Sequence, residues 1–148
     1  MKIRRATYED LPDLLRLYGF LQSDDPVPDF RDAAVHRHWE AILRDPRLLY
    51  FVAEAEGKVA STCTLTLIPN LNRAMRPYGL IENVVTDPDF RQQGLATGVL
   101  HAALAQAWRE GCYKVMLLTG SKKAETLRFY EKAGFLRGIK TGFIAYPE

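Results

Sequence analysis

The spacing of hydrophobic positions changes several times along the chain, and each change marks an element. Ile3, Arg5 and Thr7 alternate with Arg4 and Ala6, the period of a short first strand. Thr7 or Asp10 then caps a helix that carries Leu11, Leu14, Leu15, Tyr18 and Leu21 at helical spacing, with Pro12 tolerated near its start. The prolines and aspartates of 23–32 predict a loop. Val35, Trp39, Ile42 and Leu43 share one face of a second helix, which Pro46 ends. Leu48–Ala55 and Val59–Ile68 are rich in β-branched and aromatic residues, and the turn Glu56-Gly57-Lys58 makes them a hairpin. Residues 70–77 form another loop, carrying Arg73 and Arg76.

The second half is more regular. Leu80–Thr86 reads as a strand that Asp87-Pro88-Asp89 ends. Leu95, Val99, Ala103, Leu104 and Ala107 form the apolar stripe of a helix that Gly111 stops. Tyr113–Thr119 is nearly all apolar, as a strand covered on both faces would be. Ser121 can cap a short helix ending at Gly134, and Phe135–Tyr146 predicts a closing strand. A strand–helix–strand–helix unit fronted by an antiparallel meander gives an α/β class, with a central mixed sheet and helices on both faces.

Composition narrows the classes. At 148 residues the chain is sized for one domain, 1–148, with a core large enough to need no disulfide or metal staple. Cys63 and Cys112 lack zinc-site spacing and read as buried thiols of a reducing cytoplasm, with no metal expected. No apolar run is long enough to span a membrane, and no apolar segment follows the basic start as a secretory signal requires. A net charge of +2 is too small to argue for a nucleic-acid partner, and none is expected. The basic excess falls in residues 101–148, which suits a modest anionic ligand near that end.

The stretch Val84–Gly98 is the most informative. A strand runs into a loop with small residues at Gly94 and Ala96, then directly into a helix. Unpaired amides and the positive dipole end of a helix's first turn suit a phosphate or pyrophosphate. Gly94 could equally ease a tight strand-to-helix turn. A dinucleotide-binding glycine motif and a P-loop are both missing.

Arg91-Gln92-Gln93-Gly94-Leu95-Ala96 resembles the R/Q-x-x-G-x-G/A signature of the GNAT superfamily of acetyl-CoA-dependent N-acetyltransferases. Phe129-Tyr130-Glu131-Lys132-Ala133-Gly134-Phe135 is similar to the tail motif of the same superfamily. Ile81–Val85 and Gly111–Lys114 look like the glucosamine-phosphate N-acetyltransferases, which place Asp where this chain has Asn83.

The resemblance implies acetyl transfer from acetyl-CoA to a primary amine of a small molecule, on a GNAT-type fold and without a metal. It implies that backbone amides of Gln92, Gln93, Gly94, Leu95, Ala96 and Thr97, beside Arg91, hold the pyrophosphate. The cofactor's arm would lie along Val84, Val85 and Thr86, with the Val85 N–H polarising the thioester carbonyl. That pairing requires the sheet to splay beside Tyr113–Thr119. Lys123, with Lys122 and Arg128, would meet the remaining phosphate. Homodimers are frequent in the superfamily, and a homodimer is an expectation here.

Tyr130 is the natural acid, because a phenol of pKa about 10 is protonated at neutral pH and can serve a departing thiolate. If Gly134 is the residue just past the helix, Phe135 and Tyr130 are the pair that touch across a Schellman end, and packing alone would explain them. Glu82 is the candidate base. Strand alternation puts Glu82 with Val84 on one face and Asn83 with Val85 on the other. An apolar flank would raise the Glu82 pKa, whereas an ion pair with Arg73 or Arg76 would make it structural. Asn83 could orient the acceptor. Asp24, Asp25, Asp29 and Asp32 lie in the loop that lines the acceptor side in GNAT folds and could attract a cationic amine. Acetylation of a peptide N-terminus or lysine, and acetyl-CoA sensing without turnover, are the alternatives.

Overall fold

Two-residue alternation in the first half resolves into an antiparallel meander. The computed structural model describes residues 1–22 and 24–148. They fall into two compact units, Met1–Leu117 and Leu118–Glu148.

The first unit holds a five-stranded sheet in the order β1-β2-β3-β4-β5. β1 (Lys2–Arg5), β2 (Leu48–Ala55), β3 (Lys58–Ile68) and β4 (Tyr78–Thr86) pair antiparallel, and β5 (Val115–Leu117) joins β4 in parallel. The expected mixed sheet is therefore present. Gly79 is glycine for space, since a Cβ there would lie 2.8 Å from Leu65 Cδ1.

Helices cover both faces. Val52, Val59 and Val85 pack against Leu11, Leu14 and Leu17 of α1 (Leu11–Leu21) and Trp39 of α2 (Ala33–Arg44). The single turn α3 (Asn72–Met75) occupies the predicted loop before β4. On the sheet's other face the Cys63 thiol donates to the Val99 carbonyl of α4 (Leu95–Arg109) at 3.4 Å. Burial pushes that thiol up to about 12, so Cys63 behaves as the apolar residue its sequence setting suggested.

Two ion networks tie α1 to the sheet. Arg4 grips Asp10 through both guanidinium nitrogens, at 2.7 and 2.8 Å, and reaches Glu54 at 2.6 Å. Arg16 donates to Asp87 at 2.6 Å and to the Val59 carbonyl at 2.7 Å, while Asp13 accepts the Val59 N–H at 3.0 Å.

The last third departs from expectation. β5 spans three half-buried residues instead of 113–119 covered on both faces, because the outermost strand is laddered on one side only. The second unit holds α5 (Ala124–Lys132), whose N-cap is Lys123. Ser121 lies two residues earlier, accepting the Lys123 N–H at 3.3 Å and donating to Thr126 at 3.1 Å. No strand forms over Phe135–Tyr146. Gly138 and Gly142 interrupt its β-branched run, and a strand needs a ladder partner that a unit with one helix does not offer. Ile139, Phe143, Ile144 and Tyr146 are exposed there.

Candidate active site

The register of β4 against β3 breaks at one place. Thr62 faces Val85 and Thr64 faces Glu82, so Cys63 alone stands opposite Asn83 and Val84. This is a β-bulge, and Asn83 takes the left-handed conformation within it, at φ +54. The extra residue overturns simple alternation: Glu82 and Val85, opposite two threonines that share a face, lie on the same side. Hydroxyls pin the distortion, Thr64 donating to the Glu82 carbonyl at 3.0 Å and Ser61 to the Val85 carbonyl at 3.1 Å. Val85 is buried and Glu82 exposed, so the apolar flank expected around the Glu82 carboxylate is not its setting.

β4 also loses its outer neighbour there. The parallel ladder ends at Ile81 opposite Leu117, and from Glu82 onward β4 pairs with β3 alone among the described residues. Within the first unit the β4–β5 ladder is three residue pairs long. Arg76 directs its guanidinium to the Gly111 and Cys112 carbonyls at 3.1 and 3.2 Å, and Arg73 stacks over Tyr113. Neither spends its charge as the alternative reading of Glu82 required.

The chain leaves β4 through Asp87, which is buried and caps the turn Pro88–Phe90 by accepting the Asp89 N–H at 3.1 Å. Burial pushes the Asp87 carboxyl up, but the Asp89 N–H, Arg16 and Lys58 together hold it below the usual carboxylate range. Gln92 (φ +62) and Gly94 (φ +79) are both left-handed, and α4 begins at Leu95. Left-handed residues in a loop opening onto a helix aim successive amides at one point, the geometry that holds an anion. A Cβ at Gly94 would meet no atom within 4 Å. Conformation requires the glycine, and the space beside it is open to a diphosphate. Leu95 is in the core.

In the second unit, the Tyr130 carbonyl accepts the Phe135 N–H at 3.1 Å and the Glu131 carbonyl accepts the Gly134 N–H at 3.0 Å. These are the two bonds of a Schellman end, with Gly134 at φ +103. The Tyr130 and Phe135 rings meet edge-on, centroids 6.4 Å apart. Lys123 is exposed at the other end of α5.

A cavity of about 240 Å³ opens in the first unit between the C-terminal half of α1, the segment after it and the bulge. Leu21, Pro26, Val27, Pro28 and the Tyr18 ring give it an apolar wall, and Gln22, Asp25 and Asn83 supply its polar groups. Of the acidic run, Asp25 lines this cavity. Asp32 caps α2 and Asp29 pairs with Arg31.

Residues 10–135 match the model of the acetyltransferase (GNAT) family. The chain belongs to that family. This GNAT protein is 30% identical to a glucosamine 6-phosphate N-acetyltransferase of Trypanosoma brucei brucei, over 91% of its own length and 88% of the relative's. It is 28% identical to an aminoalkylphosphonate N-acetyltransferase of Salmonella typhimurium, over 90% and 84% of the two chains. Among solved structures it resembles a protein of Agrobacterium tumefaciens assigned as an acetyltransferase, with TM-score 0.92 and 42% identity over 99% and 100% of the chains. The chain is therefore an enzyme of N-acetyl transfer, and acetyl-CoA is the donor general to the family.

Sequence reasoning placed Val84–Thr86 and Arg91–Thr97 on consecutive elements, and the fold joins them in one strand and loop. It missed two features of the GNAT domain. Tyr18 looked like one more apolar residue of a helix stripe, although a phenol in such a stripe requires a partner for its hydroxyl. Arg16 and Asp87, 71 residues apart, carried no local signal of their pairing.

Proposed function

We propose that the enzyme transfers the acetyl group of acetyl-CoA directly to a primary amine of a small molecule. The observation that carries this reading is the bulge at Asn83–Val84 on a stretch of β4 that pairs with β3 alone among the described residues and leads straight into the left-handed loop. A cofactor arm could pair with the free edge of Val84, Val85 and Thr86 while amides of Gln92–Thr97, beside Arg91, take its pyrophosphate. Lys123 would add charge for the remaining phosphate. Bound there, acetyl-CoA supplies an activated acetyl group as a thioester.

The chain's own residues would do the rest. The Val85 N–H would polarise the acetyl carbonyl. Glu82 would accept the amine's proton, through water given its exposure, and Asn83 would orient the amine. Tyr130 would donate a proton to the leaving thiolate. The Trypanosoma and Salmonella relatives, named for a phosphorylated amino sugar and an aminoalkylphosphonate, support a small-molecule acceptor. The test is thiol release from acetyl-CoA with a panel of small amines and lysine-containing peptides. Turnover with small amines is expected. Turnover confined to peptides, or none with any acceptor, would refute the proposal.

A further inference from the structure

Resting on that reading, we propose that the cavity beside Asn83 takes a small, unphosphorylated amine bearing a second cationic group, and that Asp25 selects it. The argument begins with size. At about 240 Å³ the cavity has room for roughly eight water-sized groups, enough for a short alkyl chain.

Its chemistry narrows the ligand further. Pro26, Val27, Pro28 and Leu21 offer a surface suited to methylene groups. Among the described lining residues the only side chain charged at neutral pH is the Asp25 carboxylate. The nearby arginines are committed elsewhere: Arg16 to Asp87 and Val59, Arg31 to Asp29 through two bonds. A phosphate dianion here would face a like charge and an apolar wall, with no cation to repay its lost hydration.

Tyr18 lines the cavity through its ring and not through its hydroxyl. Its hydroxyl is sealed from solvent and has no hydrogen-bond partner among the described residues. Burial pushes its pKa up, so it remains a neutral phenol able to donate or accept. One amine at the bulge, where Asn83 and Glu82 lie, and a second cation at Asp25 describe a short diamine.

The experiment compares 1,4-diaminobutane, butylamine and glucosamine 6-phosphate as acceptors, in thiol release and in calorimetric binding to the CoA-loaded enzyme. The diamine should have the highest kcat/KM. Asp25→Asn should raise its KM about fivefold, the size of one partly exposed ion pair, and affect butylamine less. Asp25 is exposed on a loop, so the variant should fold. Preference for glucosamine 6-phosphate, or equal losses for diamine and monoamine in Asp25→Asn, would overturn the inference while leaving acetyl transfer standing. Asp25-dependent diamine binding without turnover would uphold the pocket and overturn the catalytic reading. Neither binding nor turnover of the diamine would overturn the inference.

Discussion

Phe135 closes the helix that carries Tyr130. Its N–H bonds the Tyr130 carbonyl at 3.1 Å, and its ring meets the Tyr130 ring edge-on. The tyrosine's backbone is fixed by a helix terminus through bonds that do not involve its side chain. Packing and chemistry at Tyr130 are therefore separable by mutation. Phe135→Ala should cost about 1 kcal/mol or somewhat more, through the lost aromatic pair and buried area. Tyr130→Phe keeps the ring and the helix end, so its urea midpoint should fall less than that of Phe135→Ala. Equal stability losses in both variants would show that the hydroxyl is structural.

Gly94 separates backbone conformation from ligand access. At φ +79 a valine is strained by about 1–3 kcal/mol, so Gly94→Val should unfold more easily as well as bind poorly. Asparagine tolerates the left-handed region, so Gly94→Asn should keep near-native stability while placing a side chain where the diphosphate would approach. Acetyl-CoA at a hundredfold excess over Kd should stabilise the native protein by about 2.7 kcal/mol. Thermal denaturation should show that gain in the native protein and not in Gly94→Asn. A full gain in the variant would mean the loop is not the anion site.

Acid should weaken the first unit through Asp10 and Asp87. Burial pushes both carboxyls up, but Arg4 and the Thr7 groups outweigh it at Asp10, as the Asp89 N–H, Arg16 and Lys58 do at Asp87. Both folded values thus lie below the unfolded value of about 3.9. Their contribution is complete above that value and is lost as pH falls through the depressed folded values. Denaturant titrations from pH 7 to pH 3 should show stability falling at the acid end. Asp87→Asn should cost about 1.5–3 kcal/mol at pH 7 and flatten that fall. An unchanged acid limb in the variant would remove Asp87 from the account.

Features written in adjacent residues were legible in the sequence. The Schellman end needs only Tyr130, Gly134 and Phe135, and the left-handed loop before α4 only a glycine between a strand and a helix. Features made by long-range pairing were not. The bulge depends on how Thr62 and Thr64 face β4, so alternation misassigned Glu82 and Val85 by one face. Phe135–Tyr146 has strand composition, yet composition cannot provide a ladder. The cavity joins residues of 18–28 to Asn83, a meeting that no local spacing encodes.

The central claim is that Glu82 takes a proton from the amine and Tyr130 gives one to the thiolate. Its most direct measurement is the pH–rate profile of the native enzyme, Glu82→Gln and Tyr130→Phe with one accepted amine. Tyr130→Phe should lower kcat by about 10²–10⁴-fold with the KM for acetyl-CoA nearly unchanged. Glu82→Gln should lose most rate at low pH and recover part of it as the amine gives up its proton to solvent. Wild-type kcat in Tyr130→Phe, or a loss in Glu82→Gln that is the same fraction at every pH, would contradict the account.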